Sequence, residues 1–285
     1  MSLVMLPESI EIETSRYCNR LCDWCPNSTT KSRINQELMP WHLFIKILAE
    51  LNTLQYEGKV ALHNYNEPLA NPRILEELKA LREFLPNSFQ KIFTNGDYLN
   101  GETINNLREV GLNLIKVSLY PNKAYDESCT KDKSIERISN WLLQKGINKS
   151  FQWTIVETWQ GFAAISVQGG LTIEVINRTT KEFNYRGGTI SDIYKQHRTV
   201  PCYATQKMAA ISYQGLLKMC LNIYPEYESH KKYIIGDLKV SSFIDLWISN
   251  IMLQYRSFHA KGQWVLSPLC SGCSFHAWQH RAKID

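Results

Sequence analysis

Several things are missing from this 285-residue chain. There is no run of about 18 apolar residues, which excludes a helical membrane span. The first ten residues, MSLVMLPESI, carry neither a basic stretch nor a long apolar one, so no secretion signal is read there. A cytoplasmic, reducing setting is expected on that ground. No run of five basic residues occurs, and the densest basic patch is His230-Lys231-Lys232. A formal charge of +5 so thinly spread is unlike the clustered footprint of a nucleic-acid binder. Neither internal repeats nor low-complexity tracts are found. With 44% hydrophobic residues, the chain can bury one large domain, or a large domain with an appendix.

What the chain does have is eight cysteines, seven of them in two sets. The first set is Cys18-x3-Cys22-x2-Cys25, read as CNRLCDWC. The second is Cys202, Cys220 and the pair Cys270-x2-Cys273. Clustered cysteines in a reducing compartment are metal ligands more often than disulfides. Three thiolates hold three corners of a four-iron cluster and leave the fourth iron open; four thiolates close a cluster completely. Zinc is the alternative for each set. Structural zinc sites pair two tight knuckles and close at four ligands. The first triplet is a ligand short of that, with no His in its loop, which leaves a three-thiolate catalytic zinc. The second set has long, irregular spacing.

Hydrophobic periodicity predicts alternating strands and helices. Strands are expected at Ser9–Thr14, Lys59–His63, Phe89–Thr94, Asn113–Leu119, Phe151–Thr158 and Leu171–Asn177. Helices are expected at Pro40–Tyr56, from Asn71-Pro72 to Phe84, at Glu102–Val110 and at Lys133–Lys145. This alternation argues an α/β fold with a parallel sheet and right-handed crossovers. Six strands fall short of a full (β/α)8 barrel, so a partial, (β/α)6 TIM-like barrel is expected over residues 1–199. Such sheets bind ligands at the C-terminal ends of their strands, where the cysteine loop, Asn66-Glu67, Asn95-Gly96 and Ser118 all fall. Asn184–Gly188 (NYRGG) reads as a loop. Residues 200–285 are expected to form a small second domain. It would contain a β-hairpin, Met208–Tyr213 and Leu216–Cys220 about Gln214-Gly215, and a helix over Ser242–Phe258.

The triplet directly after a first strand, with the aromatic Trp24 before its last cysteine, resembles the radical S-adenosylmethionine (radical SAM) superfamily. The resemblance implies that Cys18, Cys22 and Cys25 hold a [4Fe–4S] cluster whose open iron is chelated by S-adenosylmethionine. A 5′-deoxyadenosyl radical would then form and take hydrogen from an unactivated C–H. The family's Gly-Gly-Glu-Pro-like segment, which binds the methionine amino group, corresponds here to Asn64-Tyr65-Asn66-Glu67-Pro68. Glu67 and Pro68 match, and Asn66 stands where a glycine is usual. Thr94-Asn95-Gly96 and Val117-Ser118-Leu119 match the strand ends near the ribose; alone, each reads equally well as a turn or a core strand. The second cysteine set resembles the auxiliary-cluster extension of the SPASM/twitch subfamily in its smaller, four-cysteine form. That implies a second, saturated [4Fe–4S] cluster that moves an electron.

Within the subfamily, IEIETSRYCNRLCDWCPNS, FTNGDYL, NYRGG and the four auxiliary cysteines are similar to the branch that oxidises an aminocyclitol alcohol to a ketone in antibiotic biosynthesis. Tyr185 interrupts what is Asn-Arg-Gly-Gly in that branch. The resemblance implies that Arg186 contacts the substrate hydroxyl, with Gly187-Gly188 permitting close backbone approach; a surface-turn arginine is the alternative. It also implies a small-molecule substrate and an electron donor such as flavodoxin or ferredoxin. Many relatives instead modify ribosomal peptides by epimerisation or cross-linking, often with an added leader-binding domain. The chain starts about nine residues before its first strand, which favours the small molecule. Cys129, in the loop after the fourth strand, is either a hydrogen-atom donor of the epimerase kind or a small apolar filler. His276 and His280 share a helix spacing but find no third ligand.

Overall fold

The computed structural model describes residues 5–30, 35–120, 130–158, 161–178, 186–190, 198–264 and 267–273. Strand β1 (Ser9–Ile12) leads into the cysteine loop and a single helical turn, α1 (Asn27–Thr30). Then α2 (Trp41–Thr53), β2 (Lys59–Ala61), α3 (Ile74–Phe84), β3 (Phe89–Thr94), α4 (Gly101–Glu109), β4 (Leu114–Leu119) and α5 (Lys131–Gln144) alternate as the periodicity predicts. Helix α2 shows why: Leu43, Phe44, Ile47, Leu48 and Leu51 fall on one stripe and are all buried. They join Ile10, Ile12, Val60, Leu62, Ile92 and Ile115 in one apolar core. Each such side chain contributes roughly 1.5–3 kcal/mol by leaving water. Asn100 starts α4 by accepting the Thr103 N–H on its side chain at 2.8 Å.

The next strands differ in direction from the simple alternation. β5 (Thr154–Thr158), β6 (Gly161–Gln168) and β7 (Leu171–Arg178) form an antiparallel meander, and β7 lies parallel to β4. The cause is local. Gly169 and Gly170 both have positive φ (54° and 83°) and make a two-residue hairpin turn between β6 and β7. Strand β6 escapes the sequence pattern because Gly161-Phe162-Ala163-Ala164 lacks clear alternation. The sixth parallel strand comes instead from the C-terminal segment. β8 (Met208–Ile211) pairs parallel with β1 and hairpins into β9 (Leu216–Lys218), followed by β10 (Ile234–Asp237). The sheet order is β10-β9-β8-β1-β2-β3-β4-β7-β6-β5. Residues on both sides of position 200 therefore share one sheet.

A single turn, α6 (Ala204–Lys207), precedes β8. The helix expected over Ser242–Phe258 is two, α7 (Phe243–Trp247) and α8 (Asn250–Ala260), because Ser249 turns out of helical geometry and caps the second. The short α9 (Pro268–Ser271) carries Cys270. Among the described residues, no helix is long and apolar enough to cross a membrane.

Helices α2 to α5 cover the face of the sheet that carries Ile10, Val60, Ile92, Ile115 and Ile173. Side chains alternate across a strand, so the other face carries Glu11, His63, Lys91, Lys116 and Glu174.

Candidate active site and cluster centres

The cysteine loop has a pinned neck. Met39 donates its N–H to Thr14 O at 2.8 Å and Arg16 donates to Glu37 O at 2.8 Å, so the returning chain closes beside the end of β1. Inside, the Cys25 N–H meets Cys22 O at 2.9 Å and the Ser28 N–H meets Cys25 O at 3.0 Å, two tight turns. Arg20 grips Asp97 with two hydrogen bonds, at 2.8 and 2.5 Å, and Asn19 donates to the same carboxylate at 2.7 Å. Asn95 donates to Asn19 Oδ1 at 2.8 Å. The loop is thereby moored to the C-terminal end of β3.

Cys18, Cys22 and Cys25 are all partly buried. Burial pushes the Cys22 thiol up to about 12, and the neighbouring Cys25 and Cys18 push the same way. Trp24 is buried with Ile190 in a small apolar cluster against which Cys22, Tyr120 and Cys273 pack. The Trp24 and Tyr120 rings lie 5.5 Å apart.

Glu67 and Asn66 are both buried. The Glu67 carboxylate accepts the Thr94 hydroxyl at 2.6 Å and the backbone N–H groups of Asn95 at 2.8 Å and Leu69 at 3.1 Å. It therefore clasps the ends of β2 and β3. Burial raises its pKa against these hydrogen bonds, which lower it. Asn66 accepts the Asn64 N–H at 3.0 Å and donates to Ser15 at 3.1 Å, which accounts for a side chain where glycine is usual. Ser118 is buried near the end of β4.

The second set gathers from three places. Cys202 donates its N–H to His259 O at 3.1 Å; Cys220 follows β9; Cys270 and Cys273 form a knuckle with the Cys273 N–H on Cys270 O at 3.1 Å. All four line one pocket, together with Leu221, Leu269 and Arg198. Their sulfurs have polar neighbours. Ser267 donates to Cys270 at 3.1 Å, and His259 Nε2 stands 3.3 Å from the same sulfur. Asn222 and Arg198 each donate to Cys273 at 3.8 Å. Burial, reinforced by Cys273, pushes Cys220 up to about 12, and burial raises Cys270 well above the ordinary thiol range.

Arg186 opens a turn in which it, Gly187 and Gly188 all have positive φ. Its guanidinium donates to Asn222 Oδ1 at 3.3 Å. His230 locks the turn. Its Nδ1 accepts the Tyr224 N–H at 2.9 Å, so Nε2 carries the proton and donates to Gly187 O at 2.8 Å. His230 is fully buried, and thus not part of a surface basic patch. Cys129, Tyr185, His276 and His280 lie outside the described residues.

Sequence reasoning missed a polar chain on the face away from the helices. Lys218, fully buried, donates to Asn64 Oδ1 at 2.6 Å, and Asn64 donates to Glu11 at 2.7 Å. A lysine inside the apolar run Leu216-Leu217-Lys218-Met219 was the available signal. Asn19, Arg20, Asp97, Arg198 and His259 had no spacing to reveal them.

Residues 12–149 match the family model of the radical SAM superfamily, and residues 202–274 match that of SPASM, an iron–sulfur cluster-binding domain. The chain carries a radical SAM domain followed by a SPASM domain. As a radical SAM enzyme it is 22% identical over 284 residues to the S-adenosyl-L-methionine-dependent 2-deoxy-scyllo-inosamine dehydrogenase of Niallia circulans, covering 97% of this chain and 96% of that one. It is 21% identical over 314 residues to the tungsten-containing aldehyde ferredoxin oxidoreductase cofactor-modifying protein of Pyrococcus furiosus, covering 92% and 86%. Its fold is that of the crystal structure of BtrN in complex with AdoMet and 2-DOIA, with a TM-score of 0.71 at 20% identity over 96% of this chain and 97% of that one.

Radical SAM and SPASM domains imply S-adenosylmethionine and [4Fe–4S] clusters as cofactors. The residues present fit them. Crowded, desolvated thiols at both centres are unfavourable as thiolates unless a cationic core neutralises them. Among the described residues, no three His, Cys, Asp or Glu side chains form a group that could hold a single metal ion. Cys18, Cys22 and Cys25 would hold the open cluster; Cys202, Cys220, Cys270 and Cys273 would hold the closed one.

Proposed function

We propose that this radical SAM enzyme holds two [4Fe–4S] clusters and oxidises a secondary alcohol of a small polyol or aminosugar to a ketone, with residues 1–199 as the barrel and 200–285 as the auxiliary-cluster domain. The observation that carries the reading is the charged face of the sheet. Glu11, Lys91, Lys116 and Glu174 stand there on four strands, Lys116 and Glu174 paired at 2.8 Å, and Lys218 is drawn in from β9 through Asn64. Arg186 acts electrostatically on Glu11, Tyr65 and Tyr120, so its charge is felt at this face. A lining of charged and amide groups offers hydrogen-bond partners to a molecule rich in hydroxyls and amines. The relative from Niallia circulans, by its name a dehydrogenase of 2-deoxy-scyllo-inosamine, supports the same class.

When bound, S-adenosylmethionine and its cluster supply a carbon-centred radical oxidant for an unactivated C–H bond, and an auxiliary cluster supplies a one-electron acceptor, which together account for the two electrons of alcohol oxidation. The protein's part is placement. Arg186, on a turn fixed by His230, would hold the reacting hydroxyl. Glu67 and Asn66 keep the β2 and β3 ends where S-adenosylmethionine would lie, with Trp24, Asn95 and Ser118 beside it. A one-electron donor of the flavodoxin or ferredoxin kind would reduce the open cluster. Anaerobic turnover of S-adenosylmethionine against a panel of aminocyclitols, polyols and short peptides tests the reading. A ketone formed in step with methionine from a polyol or aminosugar is expected; turnover only with peptides would overturn it.

A further inference from the structure

The two cysteine sets meet different positive charges. Beside the first, Arg20 is about one-third exposed and its charge is answered by Asp97 through two short hydrogen bonds. Beside the second, Arg198 is 4% exposed and turns its guanidinium to the thiols. One Nη donates to Cys273 Sγ at 3.8 Å and the other to Pro201 O at 3.4 Å. The guanidinium carbon lies 5.6 Å from the centre of the Trp264 ring, and the Arg198 N–H meets Ser271 O at 2.8 Å, within the Cys270–Cys273 knuckle.

We propose that Arg198 is a positioning residue of the redox centre that raises the potential of the auxiliary cluster, making it the electron acceptor of the pair. This rests on the reading of Cys202, Cys220, Cys270 and Cys273 as ligands of that cluster. The physics is general. Each electron added to a thiolate-ligated cluster deepens its negative charge, so a fixed buried cation favours the reduced form. Net charge, hydrogen bonds to the sulfurs and exclusion of water are the levers on such potentials, and Arg198 supplies all of them at one point. A guanidinium stays charged at every accessible pH, so the bias does not switch off. The Asp97 carboxylate cancels the same effect at the first set.

The test is potentiometric titration of the reconstituted full-length protein followed by electron paramagnetic resonance, with added S-adenosylmethionine perturbing only the open cluster and so identifying the other. Arg198→Gln and Arg198→Met are expected to weaken reduction of the auxiliary cluster at least about tenfold, a fall of about 59 mV for one electron. Arg198→Lys, which keeps the charge, should retain most of the potential, and the open cluster should not move. An unchanged auxiliary potential overturns the proposal. So does an equal fall in the Lys and Gln variants, which would mark shape rather than charge. Loss of auxiliary iron from both neutral variants but not from Arg198→Lys would make the charge an assembly device and overturn it too. Iron for only one cluster in the unaltered protein would refute the ligand assignment itself, a result distinct from all of these.

Discussion

The carboxylate of Glu67 accepts the backbone N–H of Asn95 at 2.8 Å, joining the ends of two neighbouring parallel strands under the cysteine loop. The same side chain takes the Thr94 hydroxyl at 2.6 Å. Thr94 and Asn95 are both buried, so these two donors have no water to fall back on. Glu67→Gln keeps the shape but turns an N–H₂ toward these donors. Leaving one buried donor unpaired costs about 1–3 kcal/mol. Anaerobic urea unfolding is expected to show that loss, and equilibrium dialysis a weaker hold on S-adenosylmethionine. An unchanged midpoint would mean that the strand ends hold without Glu67.

Changing Cys18, Cys22 and Cys25 together to Ala should halve the iron of the reconstituted protein, from about eight to about four per chain. Methionine formation from S-adenosylmethionine should vanish. The auxiliary set stands on other elements, β9 and α9 among them, so its cluster should survive. Retention of all the iron would show that the triplet holds none.

Removal of Cys270 and Cys273 by substitution with Ala should do the reverse. Cleavage of S-adenosylmethionine should remain measurable, while ketone formation should fall to background because no acceptor takes the second electron. Full ketone formation in a folded double variant would leave the second cluster a structural role only.

Much of this arrangement was legible in the chain. The apolar stripe of α2 and the turn at Gln214-Gly215 each carry a local physical signal, and the structure has both; the cysteine spacings are local signals of the same kind. What escaped was non-local. Nothing near Lys218 says that Asn64, far away in sequence, will meet it, and nothing near Arg198 announces Cys273. The meander β5-β6-β7 was hidden for a different reason. Its middle strand is built from small residues, and the Gly169-Gly170 turn that explains it carries weight only once the strand is known.

His63 gives the protein a pH dependence. Burial, aided by Lys91, pulls its pKa down to about 3, and its Nδ1 accepts the Phe93 N–H at 3.1 Å, so it is neutral in the fold. Unfolded, it titrates near 6.5. Its contribution is therefore complete above about pH 6.5 and is lost as pH falls toward 3, at about 1.4 kcal/mol per unit. Between pH 7.5 and 5.5 the protein should lose about 1.4 kcal/mol more than His63→Asn, whose amide oxygen can replace Nδ1. Parallel pH profiles of the two proteins in anaerobic urea unfolding would refute a neutral His63.

Arg186→Lys is the sharpest test of how the substrate is held. The guanidinium sits on a positive-φ turn, donates to Asn222 at 3.3 Å, and through Asn222 neighbours Cys273. A planar fork can hold Asn222 and a substrate hydroxyl at once; an ammonium is a compact point donor and cannot reproduce both directions. If Arg186 holds the hydroxyl, the exchange displaces the carbon to be oxidised, and a shift of about 1 Å costs about 100-fold in rate. Ketone formation should therefore fall at least about tenfold while S-adenosylmethionine cleavage continues without product. Cleavage and oxidation would come uncoupled, a signature that plain unfolding does not give, since unfolding removes both. Arg186→Ala should behave at least as badly, for it also takes a donor from Asn222 Oδ1. Coupled turnover at the unaltered rate in both variants would return Arg186 to the role of a turn residue and move the hydroxyl to another donor on the charged face, with Lys218 the next to change.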